Sequence, residues 1–241
     1  SMVMAGGASA QACRTLAGRI KRIGAHLLQR DGETVELRDG QVFDGDASVS
    51  VAEIARTAHV RQDLLPEGID PTLEETSIYQ PEITSGVFSY STHAAVVSVD
   101  PETGEIDLLD YAIAEDCGTV VNPMIVNGQI CGGGAQGIGT ALFEEIPYDE
   151  TGQPLASTFA DYHWPGPTSL PAFRIAHIVT PAQGTEYGMK GMGEGGAIAP
   201  PAAIANAVRD ALLSGGIDAE IAETPMTPRR VYAAIQTAKG K

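Results

Sequence analysis

One carboxylate in this chain is set apart by its surroundings. Glu194 stands in the run Gly188-Met189-Lys190-Gly191-Met192-Gly193-Glu194-Gly195-Gly196. Glycine reaches positive φ and lets other groups come close to the backbone. A carboxylate held among such residues can face something bulky that needs the chain nearby. An apolar helical pattern opens straight after it at Ala197-Ile198-Ala199-Pro200-Pro201. Glu194 is therefore expected in a loop before a helix, where site residues are often carried on a rigid scaffold. The same run also fits a solvated turn glutamate, since glycine-rich turns are common. Lys190, four residues earlier, would favour the charged form of Glu194 if the two lay close in space.

A second constellation lies between Asn122 and Glu145. Gly128, Gly132, Gly133, Gly134, Gly137 and Gly139 interrupt an apolar pattern of helical spacing at Met124, Ile125, Ile130, Ile138, Ala141 and Leu142. Each glycine inside a helix costs about 1 kcal/mol relative to Ala. A helix that keeps several needs close backbone approach, to another element or to a ligand. Gln129 and Gln136 are seven apart and share nearly one helix face. Two amides on a glycine-rich face fit either a polar cofactor or tight packing with satisfied buried amides. Other chemistry is missing. There is no G-x-S-x-G, Walker loop or H-E-x-x-H, and no Rossmann fingerprint follows a strand. His26, His59, His93, His163 and His177 are scattered without ligand spacing, so no residue of this chain is assigned as a metal ligand. His163 and Trp164 fit a substrate channel or a surface loop with one packed indole.

The elements that must position these residues can be read from pattern. Ala8 to Arg30 carries an amphipathic helix. Thr34–Leu37 and Gln41–Phe43 flank Asp39-Gly40, a hairpin signal. Ser50 and Glu53 form a capping box for a short helix to about Thr57. Thr92–Asp100 and Glu105–Ala114 predict a longer hairpin across Pro101-Glu102-Thr103-Gly104. Asn122 caps the glycine-rich helix, with Pro123 in its first turn. Phe173–Thr180 is a predicted strand, Pro200–Leu213 a helix ended by Gly215-Gly216, and Thr227-Pro228 opens a last helix. No internal repeat is present.

Composition narrows the classes. The chain has 241 residues, of which 43% are hydrophobic and 19% charged. That suffices for a real core and leaves surface for a partner to cover. The formal net charge of −16 disfavours nucleic acid and anionic membrane surfaces, which select basic patches. Three cysteines without a C-x-x-C argue against a disulfide framework, a zinc knuckle or an iron–sulfur cluster held here. No run approaches a membrane helix and no secretory signal pattern is present, so a reducing cytoplasm is the expected compartment.

Taken together the motifs resemble one family. Asp116-Cys117-Gly118, Val121-Asn122-Pro123-Met124, Gly128-Gln129-Ile130, Gly132-Gly133, Gln136-Gly137-Ile138-Gly139 and Ala141-Leu142 are similar to the molybdenum-binding subunit of the xanthine oxidase family. Lys190 to Gly196 with Pro200-Pro201-Ala202 resembles that family's segment carrying its active-site glutamate, and Thr227-Pro228 with Val231 its closing helix. The likeness is nearest to the bacterial aldehyde, carbon monoxide and N-heterocycle branch. The resemblance implies an α+β fold, mixed sheets with packed helices in two subdomains. It implies that residues 1–241 form the C-terminal molybdenum-cofactor-binding domain of a split or processed subunit, whose N-terminal half lies on another chain.

It further implies a molybdopterin cofactor, in its cytosine dinucleotide form, with iron–sulfur clusters and FAD on partner chains. Glu194 is then the general base for oxidative hydroxylation of an aldehyde or N-heterocycle at an electron-poor carbon. Carbon monoxide oxidation would need a copper-binding cysteine loop in the other half. Gln129, Gln136, Gly133, Gly134, Lys190, Gly191 and Gly193 become cofactor contacts. So do Gly6 and Gly7, because Ser1 to Gly7 resembles a loop beside the cofactor. Cys131 stands where relatives often have His. A rival reading keeps the fold without the metal, as a non-catalytic scaffold or assembly subunit.

Overall fold

The computed structural model describes residues 2–83 and 86–240. It divides into two units, Ser1–Thr84 with Gly184–Glu186, and Ser85–Gln183 with Tyr187–Lys241. Both combine helices with a three-stranded sheet. This is the α+β architecture in two subdomains expected from the sequence.

The first unit opens on helix α1, Met2–Leu28. The helix thus begins six residues before the predicted start, and residues 2–7, expected as a loop, form its first turns (Ser1 lies outside the described residues). Gly7 is accommodated because the helix needs a small residue there: a Cβ on it would collide with the ring of Tyr79. Strands β1, Glu36–Arg38, and β2, Gln41–Asp44, form the predicted hairpin, with Asp39 and Gly40 both at positive φ as a two-residue turn requires. A third strand, β3, Ala47–Ser50, was not expected. It pairs antiparallel with β2 across a second tight turn at Gly45. Ser50 Oγ accepts from the Glu53 amide and starts helix α2, Val51–Val60. Ile23, Val35, Val42, Ile54 and Ala58 form this unit's core.

The second unit is built on the long hairpin. Strands β4, Tyr90–Val99, and β5, Ile106–Asp116, pair antiparallel, with a bulge between Val96 and Val97. Strand β6, Phe173–His177, adds parallel to β5 and stops three residues before the predicted end. Helix α3, Pro123–Leu142, starts where Asn122 Oδ1 accepts from the Met124 and Ile125 amides. After Glu194 come a single-turn helix α4, Gly195–Ile198, then α5, Pro200–Ser214. The last helix, α6, Pro228–Lys239, is capped by Thr227 Oγ1. Tyr111 and Ile113 of β5, Ile130 and Ile138 of α3, Ile204 and Val208 of α5 and Val231 of α6 meet in one buried core.

Candidate functional site

The loop carrying Glu194 is strapped down at both ends within the second unit. At its start, Gly188, Met189 and Lys190 are buried against the end of β5. Gly118 and Met189 form an antiparallel bridge, and the Lys190 amide donates to the Cys117 carbonyl at 3.0 Å. Gly118 sits at φ 69°, a conformation that favours glycine, and a Cβ there would strike the Gly188 carbonyl.

Side chains lock the same corner. Lys190 Nζ lies 3.2 Å from Asp116 Oδ1, with the two side chains 5% and 7% exposed, and 4.8 Å over the Tyr90 ring. Asp116 Oδ1 also accepts from the Gly118 amide at 2.8 Å and the Thr180 amide at 3.2 Å. Burial alone would raise the Asp116 carboxyl; its donors outweigh that and hold it at about 2. The ammonium of Lys190 is thus engaged by Asp116.

At its far end the loop runs into α4, which lies on α3 at backbone contact. A Cβ on Gly196 would sit 2.5 Å from the Ile130 carbonyl oxygen and 2.9 Å from the Gly134 amide. A Cβ on Gly133 would meet Gly196 and Ala197 at 3.0 Å, and one on Gly137 would meet Pro200 at 2.6 Å. Gly134 instead faces Ile113 and Phe173. Half of the puzzle posed by a glycine-rich helix is thereby answered: Gly133, Gly134 and Gly137 admit other parts of the protein.

The other half concerns the opposite behaviour. Gly128 and Gly132 are exposed, and a Cβ on either would meet nothing within 4 Å among the described residues beyond its own helix. Gln129 and Gln136 are exposed too. They lie one turn before and one turn after Gly133, on roughly the same side of α3. Cys131 is half-buried, about 200° round the helix from Gln129. Within the strapped loop Met192 packs into the core, whereas Gly191, Gly193 and Glu194 are exposed and both glycines are open. The Glu194 side chain makes no capping bond to α4. An outward carboxylate, two outward amides and four open glycines fit a bulky polar group that comes within contact of backbone.

The remaining predicted residues lie elsewhere. Gly6 and Gly7 belong to the first unit, where the hydroxyl of Tyr79 accepts from the Glu186 amide at 2.7 Å. Trp164 stacks on Phe159, and His163 packs edge-on against Phe143. Among the described residues no three His, Cys, Asp or Glu side chains gather where they could hold a metal ion. Nor is any helix among them long and apolar enough to cross a membrane.

Sequence reading missed one group. Glu115 is 1% exposed, and neither carboxylate oxygen has a hydrogen-bond partner among the described residues. Burial, and then the adjacent Asp116, push its carboxyl up to about 7. A Cβ on Gly195 would lie 2.5 Å from Glu115 Oε1. The missed signal is strand periodicity: Tyr111, Ile113 and Glu115 alternate onto one buried face.

Residues 1–171 match the family described as Molybdopterin cofactor-binding domain. The chain belongs to that family. It is 38% identical over 235 residues to the nicotine 6-hydroxylase large subunit of Paenarthrobacter nicotinovorans, covering 96% of this chain and 28% of that one. It is 30% identical over 239 residues to the carbon monoxide dehydrogenase large chain of Hydrogenophaga pseudoflava, covering 98% and 29%. Among solved structures, quinoline 2-oxidoreductase from Pseudomonas putida 86 superposes with a TM-score of 0.82 at 38% identity, over 93% of this chain and 28% of that chain. The domain thus spans under a third of the length of these relatives, whose names are those of oxidoreductases.

Proposed function

We propose that this molybdopterin cofactor-binding domain forms one wall of a hydroxylase site, with Glu194 as general base for oxidative hydroxylation at an electron-poor carbon. The strapped loop carries this reading, because it exposes a carboxylate directly after two open glycines, Gly191 and Gly193, in a segment whose next turn packs on α3. When bound, the molybdenum cofactor, in its cytosine dinucleotide form, supplies a two-electron oxidation in which R–H and water give R–OH, two protons and two electrons. A Glu194 oxygen accepts one of those protons, which requires the carboxylate to be ionised and within hydrogen-bond reach.

Gln129 and Gln136 offer amide donors and acceptors to the cofactor. Gly191 and Gly193 let their backbone approach it, while Gly133 and Gly134 allow α4 and β6 to seat the loop. Lys190 serves by anchoring that loop through Asp116. The space beside Gly7, by contrast, is filled by the Tyr79 ring within the first unit.

The names of two relatives, a nicotine 6-hydroxylase and a quinoline 2-oxidoreductase, favour an N-heterocycle over an aldehyde as substrate. That some relatives are a large subunit or a large chain supports a heteromeric assembly. In it the rest of the molybdenum-binding subunit completes the pocket, and iron–sulfur and FAD-bearing chains take the electrons. In the assembled complex, Glu194→Gln should lower turnover at least about 100-fold, the scale of a lost general base, with molybdenum content unchanged. Full turnover by that variant at saturating molybdenum rejects the assignment.

A further inference from the structure

The carboxyl of Glu115 plays no part in the proposed chemistry, yet it lies directly beneath it. It projects from the end of β5 on the same buried face as Tyr111 and Ile113, against Gly195 at the start of α4. Its Oε1 would be the nearest neighbour of a Cβ on Gly195, the residue that follows Glu194. Both its oxygens are buried without a partner among the described residues. A buried ionised carboxylate without donors is very costly, and such a group neutralises instead.

The charged and titratable neighbours agree. On its own strand stands Asp116, which has already claimed Lys190 and two amides, and beside it the buried Cys117 thiol. Across β4 the paired residue is Ser91, next to Tyr90. Across β6 it is His177, whose Nε2 is hydrogen-bonded to Asn127 Oδ1. Helix α3 carries no Asp, Glu, Lys, Arg or His. The only further acid on the adjoining loop is Glu194 itself.

We propose that Glu115 is the positioning residue of the Glu194 loop, a neutral carboxylic acid that fills the space beneath Gly195 and keeps a second negative charge away from the working carboxylate. The proposal rests on the reading of Glu194 as the base. Burial first, and Asp116 second, set the proton's departure at about pH 7. Ionisation above that pH places an unpaired charge under the backbone of residues 194–196, and the loop shifts or takes in water.

Two measurements on the assembled, cofactor-loaded complex test this. In infrared difference spectra between pH 5 and pH 9, the wild type should show a protonated-carboxyl band that disappears as pH rises through about 7, and Glu115→Gln should lack it. The kcat profile of the wild type should fall through the same range, and in Glu115→Gln that fall should be absent. Glu115→Ala, which empties the space under Gly195, should lower kcat about tenfold or more with little change in KM, as a misplaced catalytic group does. A missing band, or superimposable pH profiles of Glu115→Gln and wild type, overturns the proposal. Fully active Glu194→Gln would instead remove the base assignment, leaving the Glu115 band in place.

Discussion

Asp116 answers to three donors at once, two backbone amides and the Lys190 ammonium, all on one oxygen. Removing either member of a buried pair leaves the other charge uncompensated, which costs about 3–5 kcal/mol. Lys190→Met and Asp116→Asn should each destabilise the second unit by that order in denaturant titrations, and the double variant by less than the sum. The pH signs of the two neighbouring acids are opposite. Asp116 has its folded value depressed from 3.8 to about 2, so its contribution is complete above about pH 4 and is lost as pH falls through 2. Glu115 has its folded value raised from 4.5 to about 7, so its contribution is complete below 4.5 and is lost as pH rises through 7. His93, half-buried and lowered by that burial, gives the reverse slope below its ordinary range. The stability difference between Glu115→Gln and wild type, followed from pH 5 to pH 8, isolates Glu115 and should grow with pH.

The glycines of α3 and the loop after it divide into two kinds, and the division can be measured. Gly132→Ala adds a methyl group to an exposed helical position with open space around it, so apo stability should rise by about 1 kcal/mol. If the open face receives the cofactor, molybdenum content should fall in the same variant. Gly196→Ala forces a Cβ against the Ile130 carbonyl and should cost about 1–3 kcal/mol without any ligand present. Elements with local signals were legible in the sequence. The Asn122 cap, the Ser50–Glu53 box and the Asp39-Gly40 turn each satisfy backbone groups within a few residues. Strand β3 was not legible, because Ala47-Ser48-Val49-Ser50 is short and polar and owes its strand state to β2. The helical start of α1 was hidden because Ser1 to Gly7 resembles a loop of the family, and the reason for Gly7, the ring of Tyr79, lies far along the chain. Glu194 stood out from its neighbours in sequence. The straps that hold it join residues some 60 to 75 positions apart, and no local pattern encodes them.

Each unit has its own apolar centre, so damage to one should be felt first at home. Ile54→Ala in the first and Ile138→Ala in the second each empty a fully buried site and should cost about 2–5 kcal/mol. Amide hydrogen exchange should show faster exchange in α1, α2 and β1–β3 for Ile54→Ala, and in α3, α5 and β4–β6 for Ile138→Ala. Exchange that quickens equally in both units for either variant would mean that they unfold as one. The hairpins and helices read from pattern were consistent with an α+β fold, and the family motifs made that fold and its two subdomains an expectation. The return of Gly184–Glu186 to the first unit was not readable, since it depends on Glu82 donating to the Gly184 carbonyl across a hundred residues.

The double strap on the Glu194 loop has a consequence for its length. Between the Lys190 anchor and Gly195 the chain has four residues, and neither anchor has room to slide. The segment is a strut of fixed span, so its residue count, more than its side chains, sets where the carboxylate ends up. One glycine inserted between Gly191 and Gly193 lengthens the path by up to about 3.5 Å, far beyond the roughly 1 Å that already costs a catalytic group 100-fold. A chain with one residue more or fewer in this segment would need a rebuilt anchor to keep the carboxylate in place.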